Sequence, residues 1–188
     1  MKNYLKQIAF TGMLLLIITV SKSQNATAPV MPMDSTTKLI TYTAVKEMKG
    51  VSKEELYKRA MKWFKTFYKN PTDVIREQDT VNLKIVGKAR FKIYSDLNSL
   101  PKGDGGLAMY TITVGCREGR FKYEITAINW IQQSYYGAER WMNKESATYK
   151  PVYDSYLTQV DETIRDVVNK LATGMNQPSE VKSTKDNW

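Results

Sequence analysis

Three carboxylate groupings could support general acid–base chemistry in this sequence: Glu54-Glu55, Glu77 with Asp79, and Asp161-Glu162. The chain contains no histidine, which removes Ser-His-Asp and Cys-His nucleophile pairs, His-containing zinc sites and any imidazole base. Glu54-Glu55 falls in the opening turn of a predicted helix, where the macrodipole favours negative charge. Asp161-Glu162 falls near the polar edge of another. All three read as solvated structural groups. No run matches a carboxylate-rich calcium loop, and the one cysteine, Cys116, makes no cluster and reads as a small buried hydrophobe in a strand. The glycine-rich stretch Lys102-Gly103-Asp104-Gly105-Gly106 runs into a strand pattern, whereas a phosphate cradle leads into a helix. It reads as a flexible inter-strand connection. The expectation is a protein that is not an enzyme, with no catalytic, cofactor-binding or metal-ligating residues and no cofactor.

The remaining grouping is aromatic. Trp130, Tyr135, Tyr136 and Trp141, followed by Tyr149 and Tyr153, stand among polar residues between the last predicted strand and the last predicted helix. Such side chains stack on sugars, line small pockets or form contact surfaces. Trp130, Tyr135, Tyr136 and Trp141 are therefore the candidate binding surface. The alternative is that this long connection folds back and fills the open end of a sheet.

The N-terminus reads as an export signal. Lys2 and Lys6 precede a largely apolar run of 13 residues, Ile8 to Val20, and Ser21-Lys22-Ser23 supplies small residues for cleavage after Ser23. The run is shorter than the roughly 20 residues that span a bilayer as a helix. No stable membrane span is expected after cleavage, and the product is expected in the periplasm or outside the cell. Without Lys2, Lys6 and Lys22 the net charge falls from +9 to +6. Such a charge suits solubility and weak attraction to anionic envelope surfaces.

Gln24 to Thr37 has no apolar period and reads as a flexible lead-in; its Asp34-Ser35-Thr36 resembles a short O-glycan acceptor. Leu39 to Val45 is rich in β-branched and aromatic residues and predicts a strand. Ser52 with Glu55 predicts a capping box, and Leu56, Ala60, Trp63, Phe64 and Phe67 form one apolar helical face that ends at Asn70-Pro71. Asp73 to Asp79 is a short mixed strand. Leu83 to Tyr94 alternates, with Gly87 marking a bulge or a close backbone approach. Leu107–Cys116 and Arg120–Trp130 predict a hairpin turning at Glu118-Gly119, with Cys116 opposite Phe121, Val114 opposite Tyr123 and Ile112 opposite Ile125. Lys84, Lys88, Arg90, Thr111, Thr113 and Lys122 then occupy the outer face of the sheet. Val152 to Thr173 keeps a helical stripe, with Gly174 at its C-terminal end. Residues 175–188 read as a disordered polar tail.

The order strand, helix, four antiparallel strands, helix is an α+β two-layer arrangement, β-α-β(4)-α, with two helices packed on one sheet face. Three blocks, Val51–Ala60 with Trp63-Phe64, Ile85–Ala89, and Gly119–Ile125, resemble a bacterial exported domain-of-unknown-function family, number 4468. The resemblance covers roughly residues 38–130, with weaker similarity in the last helix, implies a TBP-like fold for the single domain expected over residues 38–174, and brings no activity or site residues. A DNA-binding reading would rest on the fold name alone, since the outer face lacks the apolar wedges of minor-groove binders; no nucleic acid is expected as partner. The expected function is that of a non-catalytic module binding another envelope component, a protein or a glycan, through the aromatic connection or the basic sheet face. The alternative is a helix-grip carrier with a cavity between the sheet and the last helix.

Overall fold

Cys116 faces Phe121 across the hairpin, Val114 faces Tyr123 and Ile112 faces Ile125. This is the register that the two-residue alternation predicts, and all six side chains are buried. The computed structural model describes residues 28–132 and 134–180. The expected signal segment, its cleavage point, the start of the lead-in and residues 181–188 lie outside them.

In chain order the elements are β1 (Tyr42–Glu47), α1 (Lys53–Phe67), a single turn α2 (Pro71–Val74), β2 (Ile75–Asp79), β3 (Lys84–Tyr94), β4 (Asp104–Arg117), β5 (Arg120–Ile131), β6 (Tyr135–Gly137), a 3-10 turn (Ala138–Met142) and α3 (Val152–Met175). The six strands form one antiparallel sheet in the order β1-β5-β4-β3-β2, with β6 also paired to β5. The architecture is α+β in two layers, as expected, with β6, α2 and the 3-10 turn added.

Helix α1 begins where Ser52 Oγ accepts the Glu55 amide at 3.2 Å. The Glu55 carboxylate completes no capping box; it turns to Arg59 and Ser179 instead. Leu56, Ala60, Trp63 and Phe64 face inward, and Gly87 of β3 lets the Phe64 ring come against the sheet. A Cβ at Gly87 would stand 2.7 Å from Phe64 Cε1, and the β2–β3 register also shifts opposite it, between Ile75 and Glu77, so both expected roles, close approach and bulge, are observed. Helix α3 lies beside α1 on the same layer. Gln159 ties it to β3, giving its amide to Tyr94 O at 2.9 Å and accepting Tyr94 N at 3.0 Å. Asp161 ties it to β1 by accepting Tyr42 Oη at 2.8 Å.

Four expectations are corrected. The lead-in is ordered from Ala28: Met31 is buried, Met33 bridges Ile40, and Asp34 Oδ1 caps the turn by accepting the amides of Thr36 and Thr37. Strand β4 starts at Asp104, so the glycines of Asp104-Gly105-Gly106 belong to the sheet, where Gly106 holds φ +88°. Helix α3 runs through Gly174 to a buried Met175. Gly174 is there for contact, since an added Cβ would meet Trp63 Cδ1 at 2.6 Å. Finally, the tail is placed on α1 as far as Glu180: Ser179 N and Oγ donate to Glu55 at 2.9 and 2.6 Å, and Lys62 Nζ reaches Pro178 O.

The space between sheet and helices is filled. Ile112, Val114, Ile125, Val160 and Ile164 have no accessible surface, and Phe121 has almost none. A void that admitted a single water would leave accessible area on its walls. The expected helix-grip cavity is therefore absent from this stripe.

Candidate functional site

The aromatic candidates are placed first by a bulge. Two residues of β5, Ala127 and Ile128, lie opposite Tyr110 of β4, and Ala127 takes φ +52°. The extra residue reverses the side-chain parity of β5, so that Phe121, Tyr123 and Ile125 face inward before it and Ile128 and Trp130 after it. Strand β6 then pairs with Asn129–Ile131 on the same edge of β5 that β1 occupies lower down. The 3-10 turn carries Ala138 and Trp141 back beneath the sheet end against α3.

The result corrects the candidate surface. Trp141 is fully buried and Trp130 is 9% exposed. Trp130, Trp141, Tyr153 and Tyr156 pack with ring centroids 5.3–6.3 Å apart, and Tyr136 leans on Trp130 at 5.1 Å. The Trp130 indole N–H donates to Gly105 O at 2.6 Å. Only Tyr135 stands out, 61% exposed. The connection fills the open end of the sheet, and the apolar pair Ala138 and Trp141 at 3-10 spacing is the sequence signal for it.

Four of the six carboxylates, Glu55, Glu77, Asp79 and Asp161, are committed to structure. Glu77 meets Lys84 at 2.9 Å, Asp79 caps the turn into β3 by accepting the amides of Val81 and Asn82, and Asp161 holds Tyr42 and Arg165. The hydrogen bonds from Ser179, together with Arg59, hold the Glu55 carboxyl down at about 2. Among the described residues no group of three or more metal-ligating side chains exists. Burial pushes the Cys116 thiol up to about 12, which keeps it un-ionised and unreactive at neutral pH.

Among the described residues no helix covers the other face of the sheet. There the pairing lines up Val45 of β1, Lys122 of β5, Gly115 of β4 and Lys84 of β3 in one row across four strands. The next row outward opposes Arg117 directly to Arg120 at the hairpin turn. These residues, with Thr113, Glu124 and Asn82, line an open cleft of about 540 Å³. Gly115 makes its notch, because a Cβ added there would meet nothing within 4 Å. Val45, 54% exposed, is its apolar edge. Glu124 is the carboxylate of the lining, and it lies 3.5 Å from Lys122. Among the described residues neither Arg117 nor Arg120 forms an ion pair.

Residues 42–130, from the start of β1 to the end of the bulged strand, match the family described as a domain of unknown function (DUF4468) with TBP-like fold. Over that stretch the chain is similar to DUF4468 domains. Two crystal structures share its fold. A DUF4468 family protein from Bacteroides ovatus ATCC 8483 superposes with a TM-score of 0.65 at 19% identity, covering 84% of this chain and 96% of that one. A TBP-like protein from Parabacteroides distasonis ATCC 8503 gives 0.63 at 13% identity, covering 79% and 98%. No curated protein matches the sequence. The DUF4468 match ends at Trp130, so β6, the 3-10 turn and α3 lie beyond it, while the whole cleft lies inside it.

Proposed function

We propose that this chain is an exported, non-catalytic module that binds another component of the cell envelope through the uncovered face of its sheet. One observation supports this most: the helices and the aromatic connection all pack on or around the inner layer, and the basic cleft of the outer face is left open to solvent. A groove between well-ordered strands needs no rearrangement to meet a partner. Export rests on the N-terminal pattern of Lys2, Lys6 and the apolar run to Val20.

Co-sedimentation with isolated envelope fractions tests the reading. The unaltered protein and the Tyr135→Ala variant are expected to sediment with the fraction, and a Thr113→Glu/Lys122→Glu variant to stay in solution. Equal retention of the outer-face variant, or no retention of the unaltered protein, overturns it.

A further inference from the structure

We infer that the hairpin-end cleft recognises a terminal phosphoryl group carried on a small organic body, a phosphate monoester. The inference rests on the outer face being the binding surface and adds the chemistry of what binds there.

The argument starts from an unfavourable arrangement. Arg117 and Arg120 are directly opposed across the hairpin, which brings their Cβ atoms to about 5 Å and sets two like charges side by side. Glu47 of β1 stands across from Arg120 on its other side, but neither arginine forms an ion pair among the described residues, whereas Lys84 and Lys122 in the adjacent row lie beside Glu77 and Glu124. Arg117, whose cross-strand neighbour in the hairpin is another arginine, leaves excess positive charge at the mouth of the cleft, and a bound anion offsets it.

The number and shape of the donors select the anion. Each guanidinium presents a planar fork that matches two oxygens. A carboxylate has two oxygens and is satisfied by one fork. A terminal phosphoryl group has three non-bridging oxygens and a charge approaching −2 near neutral pH, so it can accept from both arginines at once. Behind the arginines the cleft turns apolar: the Gly115 notch leaves room above the backbone, flanked by the aliphatic stems of Lys84 and Lys122, with Val45 beyond Lys122. Its size suits a small molecule or a headgroup. The ester's organic body lies in the notch and its phosphoryl group at the turn.

Amide chemical-shift titration of the isotope-labelled protein tests this, with glycerol 3-phosphate, acetate and inorganic sulfate as soluble probes. Vesicles of phosphatidic acid, against phosphatidylcholine, present the same phosphoryl group as a lipid. Glycerol 3-phosphate is expected to move the amides of Gly115, Arg117, Arg120 and Lys122, and to bind more tightly than acetate or sulfate. Arg117→Thr/Arg120→Thr is expected to weaken it about tenfold or more. Gly115→Leu, which fills the notch with both arginines intact, is expected to weaken it as well. Binding to phosphatidic acid vesicles in addition identifies a lipid source, and binding of the soluble ester alone a soluble one; both support the proposal. Equal response to all three anions, shifts scattered over unrelated lysines, or no response to any phosphoryl probe overturns it. In that case envelope retention through the outer face can still stand, because co-sedimentation does not depend on a phosphoryl group.

Discussion

Gly174 of α3 meets the indole of Trp63 on α1 so closely that a Cβ on the glycine would stand 2.6 Å from Cδ1, 3.1 Å from Cγ and 3.2 Å from Cβ of the tryptophan. The two helices that roof the sheet therefore touch through a position without a side chain. Two effects oppose each other when Gly174 is changed to alanine. Helix propensity favours alanine by about 1 kcal/mol, and overpacking against a buried ring costs about 1–3 kcal/mol. The indole is held by Phe64, Phe67 and Tyr68 and cannot swing aside. The expected result is net destabilisation of Gly174→Ala in urea denaturation, against a gain at an ordinary helical glycine.

Arg117 and Arg120 supply a second test by electrostatics alone. Relieving the opposed like charges with Arg117→Thr, which leaves Arg120 beside Glu47 of β1, is expected to raise stability by about 0.2–1 kcal/mol at low salt. The gain should shrink as salt screens the pair. Thermal melts at low and high ionic strength measure both effects.

The tail contact on α1 is pH-dependent with a defined sign. The Glu55 carboxyl is lowered to about 2 by hydrogen bonds from Ser179 and by Arg59, against about 4.3 in an unfolded chain. A depressed carboxyl contributes stability above its unfolded value, and that contribution is lost as pH falls toward 2. Urea stability of the unaltered protein should therefore fall between about pH 4.5 and 2 by more than that of Glu55→Gln, which lacks the titrating group. Equal slopes would contradict the contact. Asp34, Asp79 and Asp104 are also lowered, each by hydrogen bonds as its largest cause, so the difference between the two proteins isolates Glu55.

The two ends of the aromatic connection should behave oppositely. Trp141→Ala removes a fully buried ring packed against Trp130, Tyr153 and Tyr156 and is expected to cost about 3–5 kcal/mol. Tyr135→Ala, at an exposed position, is expected to stay within about 0.5 kcal/mol of the unaltered protein. Chemical denaturation monitored by tryptophan fluorescence separates the two.

The layered fold was legible where a periodic pattern met a specific end signal. Ser52 at the start of α1 and the matched alternation about Glu118-Gly119 needed no information from elsewhere in the chain. The bulge did not announce itself, because Ala127 takes a left-handed conformation in a position that carries no glycine or asparagine. Missing it left the parity of Trp130 undetermined, and with it the choice between an aromatic surface and an aromatic core. Gly174 looked like a helix terminus because its contact with Trp63 comes from a helix more than a hundred residues earlier. The cleft was hidden for the same reason: its residues on β4 and β5 are local, but Val45 and Lys84 reach the row only through the pairing of β1 with β5 and of β3 with β4.

Lysine footprinting is the most direct measurement of which face meets a partner. The protein is acetylated with and without envelope fraction, and modification at each lysine is read by mass spectrometry. Lys84, Lys88 and Lys122 on the outer face of the sheet should become protected, while Lys58 and Lys65 on α1 and Lys170 on α3 react at unchanged rates. Protection confined to the helix lysines, or unchanged reactivity at Lys84 and Lys122, would contradict a binding surface on the open side of the sheet.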